Sequence, residues 1–450
     1  MSALTKFKQS PWIWVPTLYF AEGVPYFIVN SISVMMFTKM GVPNGAMSFF
    51  TTLLYFPWFL KGLWSPIVDV VKTKRWWIIS MQILLTAALI LLTLSLPHPD
   101  ASTIKAGTTS MSIFTITLIL FIIGAFASAT HDIAADGFYM LAHSQSSQAA
   151  FIGIRSVFYR VASVFGQGVL VAIAGHFEKD GDIPLSWQIT LGVSAAIMLA
   201  ITLYHIFLLP RSKEDKPRVE LSSSSNPMKD HLKEMGHSLK TFFMKKGVLL
   251  AIAFMLLYRL PEGFLIKLCQ PFLVHETSVG GLGLNTEVVG TIYGIVGTIA
   301  LLLGGVLGGV YSSRVGLKKS LWLMAACMTL PCLTFVYLAI FQPSNIVVIT
   351  IALCIEQFGY GFGFTAYMLY MMYFSEGEFK TSHYAICTAF MALSMMLPGF
   401  VAGYIQEAIG YVNFFWMVMI CGIATLVVTY FVDKKIDPNY GRKESEDNES

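Results

Sequence analysis

Charge is scarce in this sequence. Asp, Glu, Lys and Arg make up 12% of the 450 residues, about half the roughly 25% share of soluble domains. With a formal net charge of +4, no basic surface large enough for nucleic acid is expected. Cysteine is absent from the first half. Cys269, Cys327, Cys332, Cys354, Cys387 and Cys421 all fall in apolar runs without metal-ligand spacing, which reads as buried thiols rather than a disulfide framework or a zinc site. Walker loops, nucleophile elbows and dinucleotide fingerprints are missing too. An ATP-driven pump is therefore excluded, an enzyme disfavoured, and no cofactor is expected. The first apolar run lacks a small-residue cleavage site and contains Pro16, Glu22 and Pro25, so it reads as a retained span rather than a signal peptide.

Long hydrophobic runs are present instead, and 55% of the chain is hydrophobic. In hydrocarbon every backbone polar group must be paired internally, so only helices or closed barrels cross it. Runs of about 20 residues suit helices, since barrel strands give short alternating segments. Twelve spans follow, near 12–37, 47–70, 75–96, 112–141, 148–177, 185–209, 247–275, 286–311, 318–341, 345–375, 382–408 and 413–433. Basic residues sort to one side: Lys6 and Lys8, the 2–3 loop with Lys72, Lys74 and Arg75, the 8–9 loop with Arg314, Lys318 and Lys319, segment 210–246, and Lys434, Lys435, Arg442 and Lys443. The opposite loops hold little beyond Lys39, Lys105 and Lys179. The positive-inside rule then places both termini and the central loop in the cytoplasm of a multi-pass protein of a bacterial inner membrane.

The expected fold is an all-α integral membrane protein of two pseudo-symmetric six-helix bundles, 1–210 and 247–433. A cytoplasmic linker, 211–246, joins them with a short surface helix around Lys229–Lys240, and a tail, 434–450, follows. The halves echo each other. Span 1 reads Tyr19-Phe-Ala-Glu22-Gly23 and span 7 reads Tyr258-Arg-Leu-Pro-Glu262-Gly263. Parallel repeats with a midplane site between them are one way transporters are built.

Gly309-x4-Arg314-x-Gly316-x-Lys318-Lys319 resembles the major facilitator signature of the 8–9 loop, with Ser313 where that signature has Asp. The 2–3 loop keeps Asp69 and Arg75 but not the glycine spacing. Leu60-Lys-Gly-Leu-Trp64-Ser65-Pro66-x2-Asp69 and Ala129-Thr130-His131-Asp132-Ile133-Ala134-x-Asp136 are similar to stretches of the AmpG-type muropeptide permeases, and in part of the related acetyl-coenzyme A transporters. His131 stands where that family has glutamine, and the 4–5 loop, His143 to Gln148, lacks the family's charged residues. The resemblance implies a symporter importing an anhydromuropeptide or amino-sugar conjugate.

A charge at a span centre costs about 2.5–3.5 kcal/mol, so such residues face a cavity or a partner. The set here is Glu22, His131, Asp132, Asp136, Arg155, Arg160, Arg259, Glu262, Lys267 and Glu356. Asp132 and Asp136 share a helix face at i, i+4. Depth matching pairs Asp136 with Arg155, as a structural ladder or a gate, and Asp132 with Arg160. Lys61 is expected to snorkel or to pair with Asp69. Glu22, Tyr26, Arg160, Tyr258 and Arg259 are the candidate solute ligands, Arg259 foremost because a guanidinium binds carboxylate or phosphate bidentately. His131, Asp132, Glu262 and Glu356 are candidates for carrying the coupled proton, and Asp69, Asp136, Arg155 and Arg314 for gating. Glu22 is expected at a Gly23/Pro25 break, with Pro398-Gly399 as a hinge in span 11.

The expected function is proton-coupled import of a small polar or anionic solute by a monomer working through alternating access, its partners being solute, proton and membrane lipid. Another sugar or sugar acid, an acyl-coenzyme A ester or a siderophore are the other substrates to weigh. A receptor or membrane enzyme using His131, Asp132 and Asp136 is the competing class.

Overall fold

The computed structural model describes residues 10–142, 145–179, 181–212, 214–216, 227–377 and 379–441. Lys6, Lys8, Lys213, Ser222–Ser225, Arg442, Lys443 and the side chain of Asp69 lie outside the described residues, and with them the gating role expected of Asp69. Among the described residues everything regular is helical, and ten helices are long and apolar enough to cross a membrane, among them Pro11–Lys39 (span 1), Lys74–Ser95 (span 3), Met111–Leu141 (span 4), Ile154–Glu178 (span 5), Ile183–Leu208 (span 6) and Val248–Val274 (span 7). Thr286–Val315, Leu317–Phe341 and Ile346–Ser375 are spans 8, 9 and 10. The tenth, Ser382–Asp433, has 52 residues, too many for one crossing of a bilayer core about 30 Å thick. It turns at Gly410, whose φ of 74° and ψ of 168° are non-helical, and so supplies spans 11 and 12. Asn44–Leu53 and Phe56–Val70, joined through Leu54 and Tyr55, make up span 2. The result is consistent with twelve spans.

The chain forms two compact units. The first comprises Met1–Pro43, Phe50–Glu234 and Thr286–Gly294, the second Asn44–Phe49, Met235–Asn285 and Ile295–Ser450. In the first, span 3 lies against spans 4 and 6, span 1 against span 5, and span 2 against span 4. The second repeats that pattern with span 9 against 10, span 7 against the last long helix, and span 8 against span 10. Spans 8 and 10 approach closely because glycines face each other: a Cβ on Gly308 would lie 2.9 Å from the Phe362 carbonyl oxygen, and one on Gly361 would press into Leu301. Small residues permit this kind of packing in lipid, where hydrophobicity alone gives helices no reason to associate.

The interruptions differ from those expected. Gly23 and Pro25 stay inside the helix, which runs to Phe27 and then passes through a π-turn at Ile28–Ile32. Pro25 has no N–H to give the preceding turn, and the ladder is re-spaced just beyond it. Pro398-Gly399, expected as a hinge, is helical here, and the turn between spans 11 and 12 falls at Gly410, inside the gap expected between them. Spans 5 and 8 carry π-turns at Phe165–Leu170 and Gly290–Gly297. Span 7 parts at Tyr258 and Arg259, giving Val248–Leu257 and Leu260–Val274. Pro261 occupies the first turn of that second piece, where its missing N–H costs nothing.

The basic loops are largely structural. Asp215 accepts the backbone N–H groups of Lys74 and Arg75, at 2.6 and 2.9 Å, and so caps the start of span 3. Arg75 donates to the Ile206 and Leu209 carbonyls at the end of span 6, at 2.8 and 3.0 Å, which satisfies oxygens that have no helical partner. The 8–9 loop turns through Gly316 at φ 84°, and at the equivalent place in the 2–3 loop Lys72 adopts φ 66°. The turn's handedness thus outlasts the glycine that marks it in the sequence.

Gly410→Ala should cost about 1–3 kcal/mol, since a side chain has to enter a glycine-only backbone region. A thermal-unfolding midpoint in detergent equal to that of the native protein would show that the turn adapts.

Candidate functional site

Each unit gathers a group of charged side chains within its spans. In the first unit Glu22, Asp132 and Asp136 each place a carboxylate oxygen within 4.8 Å of the others. Span 4 supplies the two aspartates from one face and span 1 supplies Glu22. Lys61 of span 2 reaches Asp132, with Nζ 2.5 Å from Oδ2. Arg155 Nη2 lies 2.7 Å from Asp136 Oδ1, and Tyr19 donates its hydroxyl to the same oxygen at 3.2 Å. The guanidinium is stacked 4.5 Å from the Tyr19 ring centre. Such a trio of carboxylates has the hard-oxygen chemistry of a cation site. Lysine and arginine supply the positive charge here.

The partner of Asp132 differs from the expectation. Lys61, not Arg160, holds it, and Lys61 does not snorkel. Arg160 is half-buried on span 5 and makes no ion pair with a described residue. Arg155 and Asp136 keep 33% and 36% of their side-chain surface, and Lys61 keeps 38%. Glu22, by contrast, is 8% exposed, and its Oε2 has no hydrogen-bond partner among the described residues. Three carboxyl groups therefore face two cations.

His131 points away from this group. Its Nε2 is 3.0 Å from the Gln82 amide nitrogen, which is 2.8 Å from His205 Nδ1; His205 Nε2 meets the Thr17 hydroxyl at 2.9 Å. Both histidines and Gln82 are fully buried. This chain ties spans 4, 3, 6 and 1 together, so His131 serves here as a packing element rather than a cluster ligand. Tyr26 stands among Trp58, Tyr55 and Tyr159, with ring centres 5.1, 6.1 and 6.4 Å away, which gives the first unit an aromatic patch.

The second unit concentrates its charge at the break in span 7. Arg259 caps the second piece of that span with φ −103° and ψ 12°, and Glu262 sits in its first turn, where a carboxylate suits the helix dipole. Glu262 hydrogen-bonds the carboxyl of Glu356 from span 10. Gln357 Nε2 donates to Glu356 Oε2 at 2.8 Å. Glu262 and Glu356 are each 2% exposed. Arg259 donates to the Tyr360 hydroxyl at 2.6 Å and lies 4.7 Å from the Phe364 ring centre and 5.6 Å from that of Tyr367. Two carboxyl groups thus accompany one guanidinium held by aromatic rings. Tyr258, expected as a solute ligand, is instead core: its hydroxyl donates to the Gly363 carbonyl at 3.1 Å and its ring packs 4.7 Å from Phe254. Arg314 is exposed in the last turn of span 8, without an ion-pair partner among the described residues.

Sequence reasoning missed Lys61 as the partner of Asp132, because a lysine near a span end is usually solvated. It missed Tyr360 and Phe364 as well, since aromatic residues are too common in spans to single out. Their spacing from Glu356, at i+4 and i+8 on one face, was the available signal.

Residues 17–397 match the family model of the Major Facilitator Superfamily. The chain belongs to that superfamily. An anhydromuropeptide permease of Escherichia coli is 22% identical over 91% of this chain and 77% of its own length. A Rickettsia conorii protein that carries the name AmpG 4 is 24% identical, covering 92% of this chain and 95% of its own. Among solved structures, a D-xylose-proton symporter superposes with a TM-score of 0.70 at 14% identity, covering 97% of this chain and 99% of that one. The nucleoside transporter NupG gives 0.66 at 13%, covering 97% and 100%. At such identities the structures show the major facilitator fold and nothing finer. The AmpG-type resemblance of the sequence and the curated relatives agree.

Burial separates the two charge groups energetically. Arg259→Ala strips two buried carboxyl groups of their cation and should cost about 3–5 kcal/mol. Lys61→Ala acts on a partly exposed pair and should cost about 1 kcal/mol or less. Equal losses in detergent unfolding of the two variants would contradict this ordering.

Proposed function

We propose that this protein is a proton-coupled symporter that imports an anionic cell-wall fragment of the anhydromuropeptide class by alternating access. The observation that carries the reading is a count. Among the described residues, the carboxyl groups of each cluster outnumber the cations facing them by one: Glu22, Asp132 and Asp136 against Lys61 and Arg155, and Glu262 and Glu356 against Arg259. An unbalanced charge inside a span is expensive, and one proton per group removes it. A carboxyl pair sharing a single proton is a familiar way to hold one that can leave.

The same arrangement links proton and solute. Arg155 and Arg259 are the groups able to take a carboxylate or phosphate on a solute. A solute anion that engages Arg155 loosens its hold on Asp136, and that carboxylate then favours a bound proton. Engagement of Arg259 acts on Glu262 and Glu356 in the same way. Protonation and solute binding then favour each other, which is what symport requires. The partial exposure of Arg155 and Asp136 suits a pair that changes partners. Tyr26 and Trp58 offer ring faces of the kind that lie against sugars, and the name of the Escherichia coli relative supplies the solute class. The positive-inside pattern of the loops supports cytoplasmic termini in a bacterial inner membrane.

Uptake of radiolabelled anhydromuropeptide into proteoliposomes, with and without an imposed inward proton gradient, tests the reading. Accumulation that follows the gradient is expected. A bound but unmoved, or chemically altered, solute would point to a receptor or an enzyme instead. Asp132→Asn should abolish gradient-driven accumulation while exchange of labelled for unlabelled solute stays measurable; undiminished accumulation removes Asp132 from the mechanism. Arg259→Ala should weaken solute affinity by about 10–100-fold, the value of a charge-assisted hydrogen bond. Unchanged affinity makes that arginine structural.

A further inference from the structure

The linker helix Pro227–Phe243 plays no part in the charge groups, yet it is built with care. Its inner side is fixed to the second unit. Phe242 is fully buried, with ring centres of Phe374, His383 and Phe390 at 5.6, 5.6 and 6.3 Å. Thr241 Oγ1 lies 3.1 Å from His383 Nε2. Just past the helix, Lys245 donates to the carbonyls of Phe374 and Glu376 at 2.6 and 2.7 Å, capping the end of span 10. These contacts set the rotation of the helix.

With the rotation set, the outward surface is defined. Leu239 and Phe243, 37% and 52% exposed, are one turn apart on a flank roughly 60–100° around from Phe242. Met244, on the side away from Phe242, is 74% exposed. Lys229, Lys233 and Lys240 share that far side and are exposed, as is Lys246 beyond the helix end. Among the described side chains Lys233, Lys240 and Lys246 have no ion-pair partner. Span 7 begins at Val248, and the few intervening residues reach about 14 Å at most, so the C-terminal end of the helix, which carries Leu239 and Phe243, is tethered next to the start of that span.

An apolar strip bordered by lysines at that level has a defined chemistry. The strip enters the acyl–headgroup boundary while the lysine stems carry their ammonium groups to phosphates. We propose that this helix is a docking surface for anionic phospholipid headgroups, reading the charge of the leaflet it lies on. A water-facing helix would leave Leu239, Phe243 and Met244 unburied on the same element as an otherwise economical core. A protein partner is disfavoured by the lysines, which are depleted at protein interfaces.

The test uses the full chain in nanodiscs of phosphatidylcholine alone or of phosphatidylcholine with phosphatidylglycerol. Lysines are labelled with an amine-reactive acetylating reagent and read by mass spectrometry. Labelling at Lys240 and Lys246 should slow about fivefold with phosphatidylglycerol, the effect expected of one basic residue near an anionic surface, and added salt should reverse it. Lys105, exposed on the short helix Ala101–Ala106, is the internal control. Equal rates in the two lipids overturn the proposal. An equal slowing at Lys105 also does so, because it would reflect general charging of the disc. Leu239→Asp with Phe243→Asp alters only the exposed flank and should remove the slowing; its persistence would show that the apolar strip takes no part.

Discussion

A carboxylate inside a membrane span must be matched by a cation, a hydrogen-bond donor or a proton, and the first unit is assembled around that requirement. Asp132 and Asp136 oblige span 4 to lie where spans 2 and 5 can deliver Lys61 and Arg155, while Glu22 brings in span 1. Four helices are thereby fixed in rotation as well as position. The hydrogen-bonded chain from the buried His131 through Gln82 and His205 to Thr17 does the same on the other face of span 4. Span 4 is therefore specified on two sides by polar contacts, in a solvent where apolar packing distinguishes poorly between rotations.

The second unit solves the same problem with backbone geometry. Span 7 gives up a helical turn at Arg259, and the freed piece presents Glu262 in its first turn beside Glu356. A broken helix is tolerated at this depth only where protein or a cavity covers it. The aromatic rings of Tyr360, Phe364 and Tyr367 cover the guanidinium from span 10. The two units thus reach the same charge balance by different means, one through ion pairs that keep some exposure and the other through a nearly closed cage.

Much of this was legible in the sequence, and for a physical reason. The membrane imposes a length on every apolar run, so the spans could be placed within a few residues, and the linker helix could be seen in its alternation of charge. Intramembrane charges stand out against such a background, which is why Glu22, Asp132, Asp136, Arg155, Arg259, Glu262 and Glu356 could all be named. Pairing was harder. Depth along a helix can be counted but rotation between helices cannot, and Arg160 was matched to Asp132 by depth although Lys61 lies on the side that Asp132 faces. Tyr258 misled because it adjoins Arg259 in the sequence, yet at the break in span 7 the two side chains find different partners, the Gly363 carbonyl and the Tyr360 hydroxyl. The break expected at Gly23 and Pro25 was misplaced for a related reason: the helix runs on through the proline and the re-spacing falls one turn later, at Ile28–Ile32.

The π-turns in spans 1, 5 and 8 carry a consequence of another kind. A π-turn holds one residue more than the helix needs, so everything beyond it is rotated by about 100° relative to an uninterrupted α-helix. Removing a single residue from 28–32, 165–170 or 290–297 would restore a regular helix and turn the rest of that span to a new face. When sequences of this superfamily are aligned, a one-residue gap inside a span is therefore a legitimate outcome rather than an error to be closed. Lineages can differ in which side chains they turn inward by gaining or losing one letter, with no substitution at the positions that end up facing the interior.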